Sequence, residues 1–249
     1  MESVLKLENI SKNFGGVEAL SDVDMSLQKG ECLGLMGDNG AGKSTLIKII
    51  AGNYLPTTGK IFINNNQVYF NKPIDAQKKG IEVVYQDLAL CDNLSAYENV
   101  FLGRWLSKFR IGPFKFVDFK KMQEKSYDLF KELKSDTRPK QLVKTLSGGQ
   151  KQAVALSRTR LSNPDIVIMD EPTAAISVKQ VTEVLRYILK LKEKKISIIL
   201  ISHRMMDVFE VCDRIMVLRR GVKVSDKKLK ESSPEEVTGL ITGAIDTSF

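Results

Sequence analysis

The residues Gly37-Asp38-Asn39-Gly40-Ala41-Gly42-Lys43-Ser44, followed by Thr45, put three glycines, one amine and two hydroxyls into a short stretch. A loop that wraps a polyphosphate must turn successive backbone N–H groups inward, and glycine tolerates the torsions this requires. Lys43 supplies a point charge for the β- and γ-phosphates, and the Ser44 hydroxyl suits Mg²⁺. Far along the chain, Ile166-Val-Ile-Met-Asp170-Glu171 reads as an apolar strand ending in two carboxylates. Asp170 has the chemistry to hold a metal, directly or through water, and Glu171 that to orient or deprotonate an attacking water. On its own such a pair is often just the polar start of a loop. Downstream of a phosphate loop it is the other half of a hydrolytic site.

These groups need a scaffold, and the apolar pattern supplies one. Val4–Ile10 and Asp22–Leu27 alternate as strands, and Cys32–Met36 is a short apolar run leading into the glycine loop. Leu46, Ile47, Ile49 and Ile50 have helical spacing within Lys43–Ala51, so a helix points its positive end at the same phosphates. Lys60–Ile63 and Gln67–Phe70 read as a hairpin, and Ile81–Tyr85 as a buried strand. From Asp87 to about Thr145 the pattern turns helical, with a capping box at Ser95-Ala-Tyr-Glu98 and an amphipathic stretch at Phe119–Leu133. Strand–helix alternation then resumes: helix Gly149–Leu161, strand Ile166–Met169, helix Val178–Lys194, strand Ser197–Ser202. A hairpin across Ile215–Val224 and a helix at Pro234–Thr242 close the chain. Alternation of this kind predicts an α/β domain with a mostly parallel sheet and an N-terminal antiparallel part. Its core is expected to be 1–86 with 146–249, and 87–145 a helical insertion.

Leu146-Ser147-Gly148-Gly149-Gln150, lying between the phosphate loop and the carboxylate strand, resembles the signature of ATP-binding-cassette (ABC) ATPases. Motif order along nearly the whole chain is similar to that family. The resemblance implies ATP and Mg²⁺ as cofactors, with Ser44, Gln86 and Asp170 at the metal and Glu171, Gln86 and His203 as the catalytic set. Phe14, in Lys-Asn-Phe-Gly-Gly, matches the aromatic that stacks on adenine, a role its flat π face suits; the lesser alternative is a strand-end residue contributing to the core. His203, the only histidine, matches the family's γ-phosphate switch. Ser147, Gly148, Gly149 and Gln150 would bind the γ-phosphate held by a second subunit, so the resemblance implies a head-to-tail dimer. One departure stands out. Where many members have Ser-Ala-Leu-Asp, this chain has Ala174-Ala175-Ile176-Ser177, which resembles single-cassette ATPases of bacterial ribose, xylose and fructose importers. Membrane permease subunits then become expected partners, with a substrate-binding protein reached only indirectly and no contact with the solute. The permease is expected in a groove formed by Leu88, Leu90, Leu94, Tyr97, Val100, Phe101 and Trp105, although each of these also suits a local core.

Composition narrows the alternatives. The chain has 249 residues, 43% hydrophobic and 27% charged, which fits one large domain. No apolar run approaches the roughly 18 residues of a membrane span, and with Glu2, Lys6 and Glu8 in the first ten residues no secretory leader is expected there. The expected location is the cytoplasmic face of the membrane, held peripherally. Formal charge is +8, but the basic residues are dispersed, which favours a solvated lysine surface over a nucleic-acid footprint. The three cysteines form no CxxC pair and read as reduced packing residues. A transport ATPase for another solute stays open, as does a soluble ABC ATPase acting on nucleic acid or ribosomes. The length of this sequence matches one cassette.

Overall fold

A computed structural model of the chain describes residues 3–111, 114–174 and 176–245. In chain order the elements begin with β1 (Ser3–Phe14), β2 (Val17–Gln28), β3 (Cys32–Met36) and α1 (Lys43–Ile50). They continue with β4 (Thr58–Ile63), β5 (Asn66–Val68), α2 (Pro73–Lys78), β6 (Ile81–Val84) and α3 (Ala96–Val100). Next come β7 (Ser107–Ile111), β8 (Phe114–Val117), α4 (Phe119–Glu132), α5 (Gly148–Thr159), β9 (Ile166–Asp170) and α6 (Val178–Glu193). The last are β10 (Ser197–Ile201), α7 (Met205–Val211), β11 (Arg214–Arg219), β12 (Val222–Lys228) and α8 (Pro234–Thr242).

The chain forms two compact units. The first takes in Met1–Val83, Pro164–Glu171 and Ile188–Phe249, the second Val84–Asn163 and Pro172–Tyr187. In the first, a six-stranded sheet runs β12-β11-β3-β10-β9-β6 and a four-stranded one runs β2-β1-β4-β5. The strands β3, β9 and β10 are nearly continuous apolar runs with almost every residue buried. Full burial is what parallel strands require when both faces of the sheet are covered. β1 and β2 instead alternate buried and exposed residues and pair antiparallel with each other, as a half-buried sheet should.

Register decides what the first unit can do. Leu200 of β10 lies opposite Gly34 of β3 on one side and Met169 of β9 on the other, and Ile201 lies opposite Asp170. The three carboxyl ends are therefore level, and the loops leaving them share one edge. Ligands of open parallel sheets bind along that edge. Arg214, at the start of β11, ties the two sheets together. Its guanidinium donates to Glu31 at 2.6 Å, to Asp226 at 2.5 Å and to the Ser26 carbonyl of β2.

The second unit packs Ala96, Val100, Phe101, Met122, Phe130, Val143, Leu146 and Val154 into its own core. Two expectations change here. The 87–145 stretch is not purely helical, because β7 and β8 form an antiparallel hairpin within it. Lys108-Phe109-Arg110-Ile111 and Phe114-Lys115-Phe116 alternate charged and apolar residues with the period of a strand, a signal diluted by the helical segments on either side. Val100 and Phe101 are each 1% exposed, so they belong to the core and not to a docking groove. The spacing of an amphipathic helix marks an apolar face without saying what covers it.

Replacing Arg214 by alanine leaves Glu31 and Asp226 as mostly buried, unpaired carboxylates. We expect a loss of about 3–5 kcal/mol in urea unfolding, the range for breaking a buried ion pair. A loss below about 1 kcal/mol, typical of surface pairs, would show that this cluster does not hold the sheets together.

Candidate functional site

The glycine loop follows β3 and ends at α1, whose N-cap Gly42 has φ +101°. A Cβ there would meet Leu20 Cδ2 at 2.7 Å and the Ala19 carbonyl at 2.8 Å, and one on Gly37 would meet the Leu218 carbonyl at 2.3 Å. Sterics thus keep the loop free of side chains where the backbone must come close. The Lys43 side chain folds back over this loop and donates to the Gly37 carbonyl at 2.6 Å and the Asp38 carbonyl at 2.9 Å. Ser44 stands exposed beside it, and Thr45 is half-buried. On the outer side, Asp38, Asn39, Gly40 and Ala41 border a cavity of about 720 Å³ shared with Arg219 and Arg220.

Two neighbouring strand ends complete this edge. Asp170 ends β9, half-buried, and Glu171 follows with φ +52°. That left-handed conformation costs a non-glycine residue about 1–3 kcal/mol. It is held by the Glu171 N–H, which donates to the Ile201 carbonyl at 3.0 Å. Glu171 is 8% exposed, and its Oε1 is buried with no hydrogen-bond partner. The His203 imidazole, carried past the end of β10, puts Nε2 3.4 Å from that oxygen while most of the ring stays open to solvent.

Electrostatics follow from burial. Desolvation pushes the Glu171 carboxyl above its usual range, with Asp170 adding to the rise, while the His203 backbone N–H, its ring and Lys43 pull it back. Burial lowers the Lys43 amine, opposed by the charges of Glu171, Asp170 and Asp38. A carboxylate raised in this way is a stronger base than an exposed one. The donor set also fits a magnesium ion. Ser44 and Asp170 offer hard oxygen ligands at the edge where a Glu171 oxygen lies without a hydrogen bond, and the glycine loop beside them is clear of side chains.

Phe14 is 43% exposed at the end of β1, which removes the core reading. Its ring meets Tyr54 edge-on at 5.3 Å, and Lys12 Nζ lies 5.1 Å from its centroid. Tyr54 was not singled out in the sequence. It follows the Gly52 that ends α1, and its own position gives no sign that it steadies an aromatic forty residues earlier.

The Ser-Gly-Gly motif lies in the second unit and opens α5. Ser147 Oγ accepts from the Gln150 N–H at 3.3 Å, and Gln150 Oε1 accepts from the Ser147 N–H at 2.9 Å, a reciprocal capping box. Ser147 and Gly148 are exposed, and Gly149 is half-exposed. A Cβ on Gly149 would lie 1.7 Å from Gln180 Nε2, so that side chain lies against the glycine. Gln180 is held there by Ser177, whose N–H and hydroxyl donate to its Oε1 at 3.0 and 3.1 Å. Ser177 therefore has a partner within its own unit. Gln180 was also missed by sequence reading, because a glutamine two residues into a helix looks like any surface residue. With Ser147, Gln150 and Ile176 these groups line a cavity of about 620 Å³. Gln86 belongs to the same unit and is exposed just beyond β6.

A phosphate loop, a strand-end carboxylate pair and a helix-capping Ser-Gly-Gly on an α/β scaffold define a nucleotide-hydrolysing class of protein. The ABC transporter family pattern matches residues 20–174, and this chain belongs to that family. It is 43% identical over 245 residues to the xylose/arabinose import ATP-binding protein XylG of Sulfolobus acidocaldarius, spanning 97% of this chain and 95% of that one. The fructose import ATP-binding protein FrcA of Rhizobium meliloti is 40% identical over 98% of this chain and 95% of its own. The ribose import ATP-binding protein RbsA of Caldanaerobacter subterraneus is also 40% identical, but the match spans 48% of that protein, about half its length. Among solved structures, a nucleotide-free cassette of an ABC transporter superposes with TM-score 0.79 at 26% identity, covering 96% of this chain and 95% of that one. A dimeric cassette in a post-hydrolysis state, bound to ADP and phosphate, gives 0.78 at 27% identity over 90% and 98%.

Gly42→Ala would force a Cβ against backbone at a positive φ. We expect a loss of about 1–3 kcal/mol in chemical unfolding. Gly40, whose surroundings are open, should tolerate alanine with a smaller loss. Equal effects at the two positions would contradict this account of the loop.

Proposed function

We propose that the chain is the ATP-hydrolysing subunit of an ABC importer whose cargo is a sugar. The observation that carries the reading is the presence of Lys43, folded over the phosphate loop, within electrostatic reach of a buried Glu171 whose Oε1 accepts no hydrogen bond and faces His203. The sugar cargo is supported by the import proteins for xylose/arabinose, fructose and ribose that this chain resembles.

In this reading Phe14 stacks on adenine, and the N–H groups from Gly37 to Thr45 cradle the phosphates with Lys43 on the β- and γ-groups. Ser44, Asp170 and Gln86 would hold Mg²⁺, which supplies charge neutralisation on the phosphate oxygens. Glu171 accepts the proton of the attacking water, and burial keeps its carboxylate basic enough to do so. His203, exposed just past the end of β10, contacts the γ-phosphate. Ser147, Gly148, Gly149 and Gln150 of a second copy would close each site, so two head-to-tail subunits share two nucleotides. Release of phosphate then removes the contact that holds the pair shut, a switch driven by differential affinity.

Among the described residues no helix is long and apolar enough to cross a membrane. The subunit is placed at the cytoplasmic face through a permease. With Val100 and Phe101 in the core, the docking surface reduces to Leu88, Leu90, Leu94, Tyr97 and Trp105. Residues 87–145 together serve as the permease-facing part of the cassette.

Glu171→Gln should keep nucleotide affinity while lowering turnover at least about 10²-fold, the scale of losing a general base. Lys43→Ala should weaken nucleotide binding itself. Normal turnover by Glu171→Gln would remove Glu171 from the mechanism.

Assembly gives a separate check. With Mg-ATP, Glu171→Gln should run as a dimer in light scattering, and Ser147→Arg added to it should return a monomer that still binds nucleotide. Equal dimerisation with and without Ser147→Arg would contradict the shared-site geometry.

A further inference from the structure

The hairpin β7–β8 presents aromatic rings to solvent, and nothing proposed so far uses them. Phe114 is 70% exposed, Phe109 48% and Phe116 46%. Register explains why they lie together. Phe109 pairs with Phe116 across the ladder, and their rings stack at 4.6 Å with an interplanar angle of 24°. Phe114, two residues from Phe116, falls on the same face. Lys115 falls on the other, and Lys108 lies at the bulge where the ladder register shifts. At the base of the hairpin Leu106 and Val117 pack against the core of the second unit, and the Asp118 N–H donates to the Leu106 carbonyl at 2.8 Å. The hairpin is thus rooted while its aromatic face stays uncovered. Next to it Trp105, 43% exposed, meets the exposed Phe119 edge-on at 6.3 Å.

The charges around this patch are of one sign. Between positions 105 and 121 the sequence has Lys108, Arg110, Lys115, Lys120 and Lys121 against a single acid, Asp118. Asp118 is already engaged as the N-cap of α4, accepting from the Lys121 N–H at 3.0 Å. The nearest further acid, Glu124, lies 3.9 Å from Lys120 on the surface of α4. Contiguous exposed apolar surface marks an interaction site. Aromatic rings flanked by lysines match the boundary of an anionic bilayer, where rings lie at headgroup depth and ammonium groups reach the phosphates.

We infer that the β7–β8 hairpin, with Trp105 and Phe119, is a lipid-contacting element that binds the surface of an anionic membrane directly. Two weak terms act together: partial burial of the rings, and about 1 kcal/mol of attraction for each lysine near the charged surface. A hairpin this small should give reversible, salt-sensitive attachment. It would hold the subunit beside the bilayer without relying on the permease alone. This deepens the peripheral placement proposed above, yet it is tested without nucleotide.

Trp105 is the only tryptophan in the chain, so its emission reports on this patch alone. The purified full chain is titrated with phosphatidylcholine vesicles and with vesicles of equal parts phosphatidylcholine and phosphatidylglycerol. A blue shift and co-sedimentation with the anionic vesicles, weakened by salt, are expected. F109S with F116S should lower the partition at least about tenfold, and K108E with K115E should do likewise while removing the preference for anionic lipid. Both variants should keep the ATPase rate and circular dichroism of the parent, since neither pair touches the nucleotide site. No shift with anionic vesicles overturns the proposal. So does binding that neither pair of substitutions weakens. A patch that ignores vesicles but is needed for ATPase stimulation in permease-containing membranes belongs to a protein partner, which also overturns it. Failure of vesicle binding leaves the ATPase reading intact, and loss of ATPase activity does not affect the vesicle result.

Discussion

Lys43, 8% exposed, carries its ammonium group among the carboxylates of Asp38, Asp170 and Glu171 at the carboxyl edge of a parallel sheet. Removing an amine from water is costly unless donors and charges replace the lost hydration. Here two loop carbonyls accept its protons while the nearby acids offset the desolvation. Those partners come from separate places in the chain, and only the pairing of β3, β10 and β9 brings them level. The fully buried strands, the glycine turn and the left-handed backbone at Glu171 all serve to keep that charge cluster in register.

The cluster is built at some cost in stability. Glu171 sits in a strained conformation with a buried oxygen that accepts no hydrogen bond, and burial disfavours both its charge and that of Lys43. Such costs gather at functional sites, where a ligand is to supply the missing interactions. The surrounding apolar core supplies the stability that permits them, with the Leu, Ile and Val side chains of β3, β9 and β10 almost wholly buried. Each such side chain contributes about 1.5–3 kcal/mol. The Arg214 cluster holds the antiparallel sheet to this core from the opposite end of β11.

The second unit answers a different physical demand. Ser147 and Gln150 satisfy the first turn of α5 reciprocally, and that turn stays exposed with its positive end available. Gln180 lies over Gly149, fixed by the N–H and hydroxyl of Ser177. The same unit carries the aromatic hairpin, so its surface combines an exposed helix end with rings open to solvent.

The sequence by itself determined the chemistry and most of the scaffold. Gly37 to Ser44 can be read as a phosphate loop because backbone torsion and charge both constrain the residue types. Cys32–Met36, Ile166–Met169 and Ser197–Ser202 are legible as buried strands because complete burial leaves unbroken apolar runs. Tertiary structure decided what depends on distant partners. Phe101 and Leu94 look alike in sequence, yet one is core and the other half-buried, since helical spacing marks a face without naming its neighbour. Phe14 reads as core or surface in the sequence, and its exposure at the end of β1 decides between them. Gln180 and the β7–β8 hairpin escaped notice for the same reason. Their roles are set by contacts across a register or between helices, and local residue type does not encode those contacts.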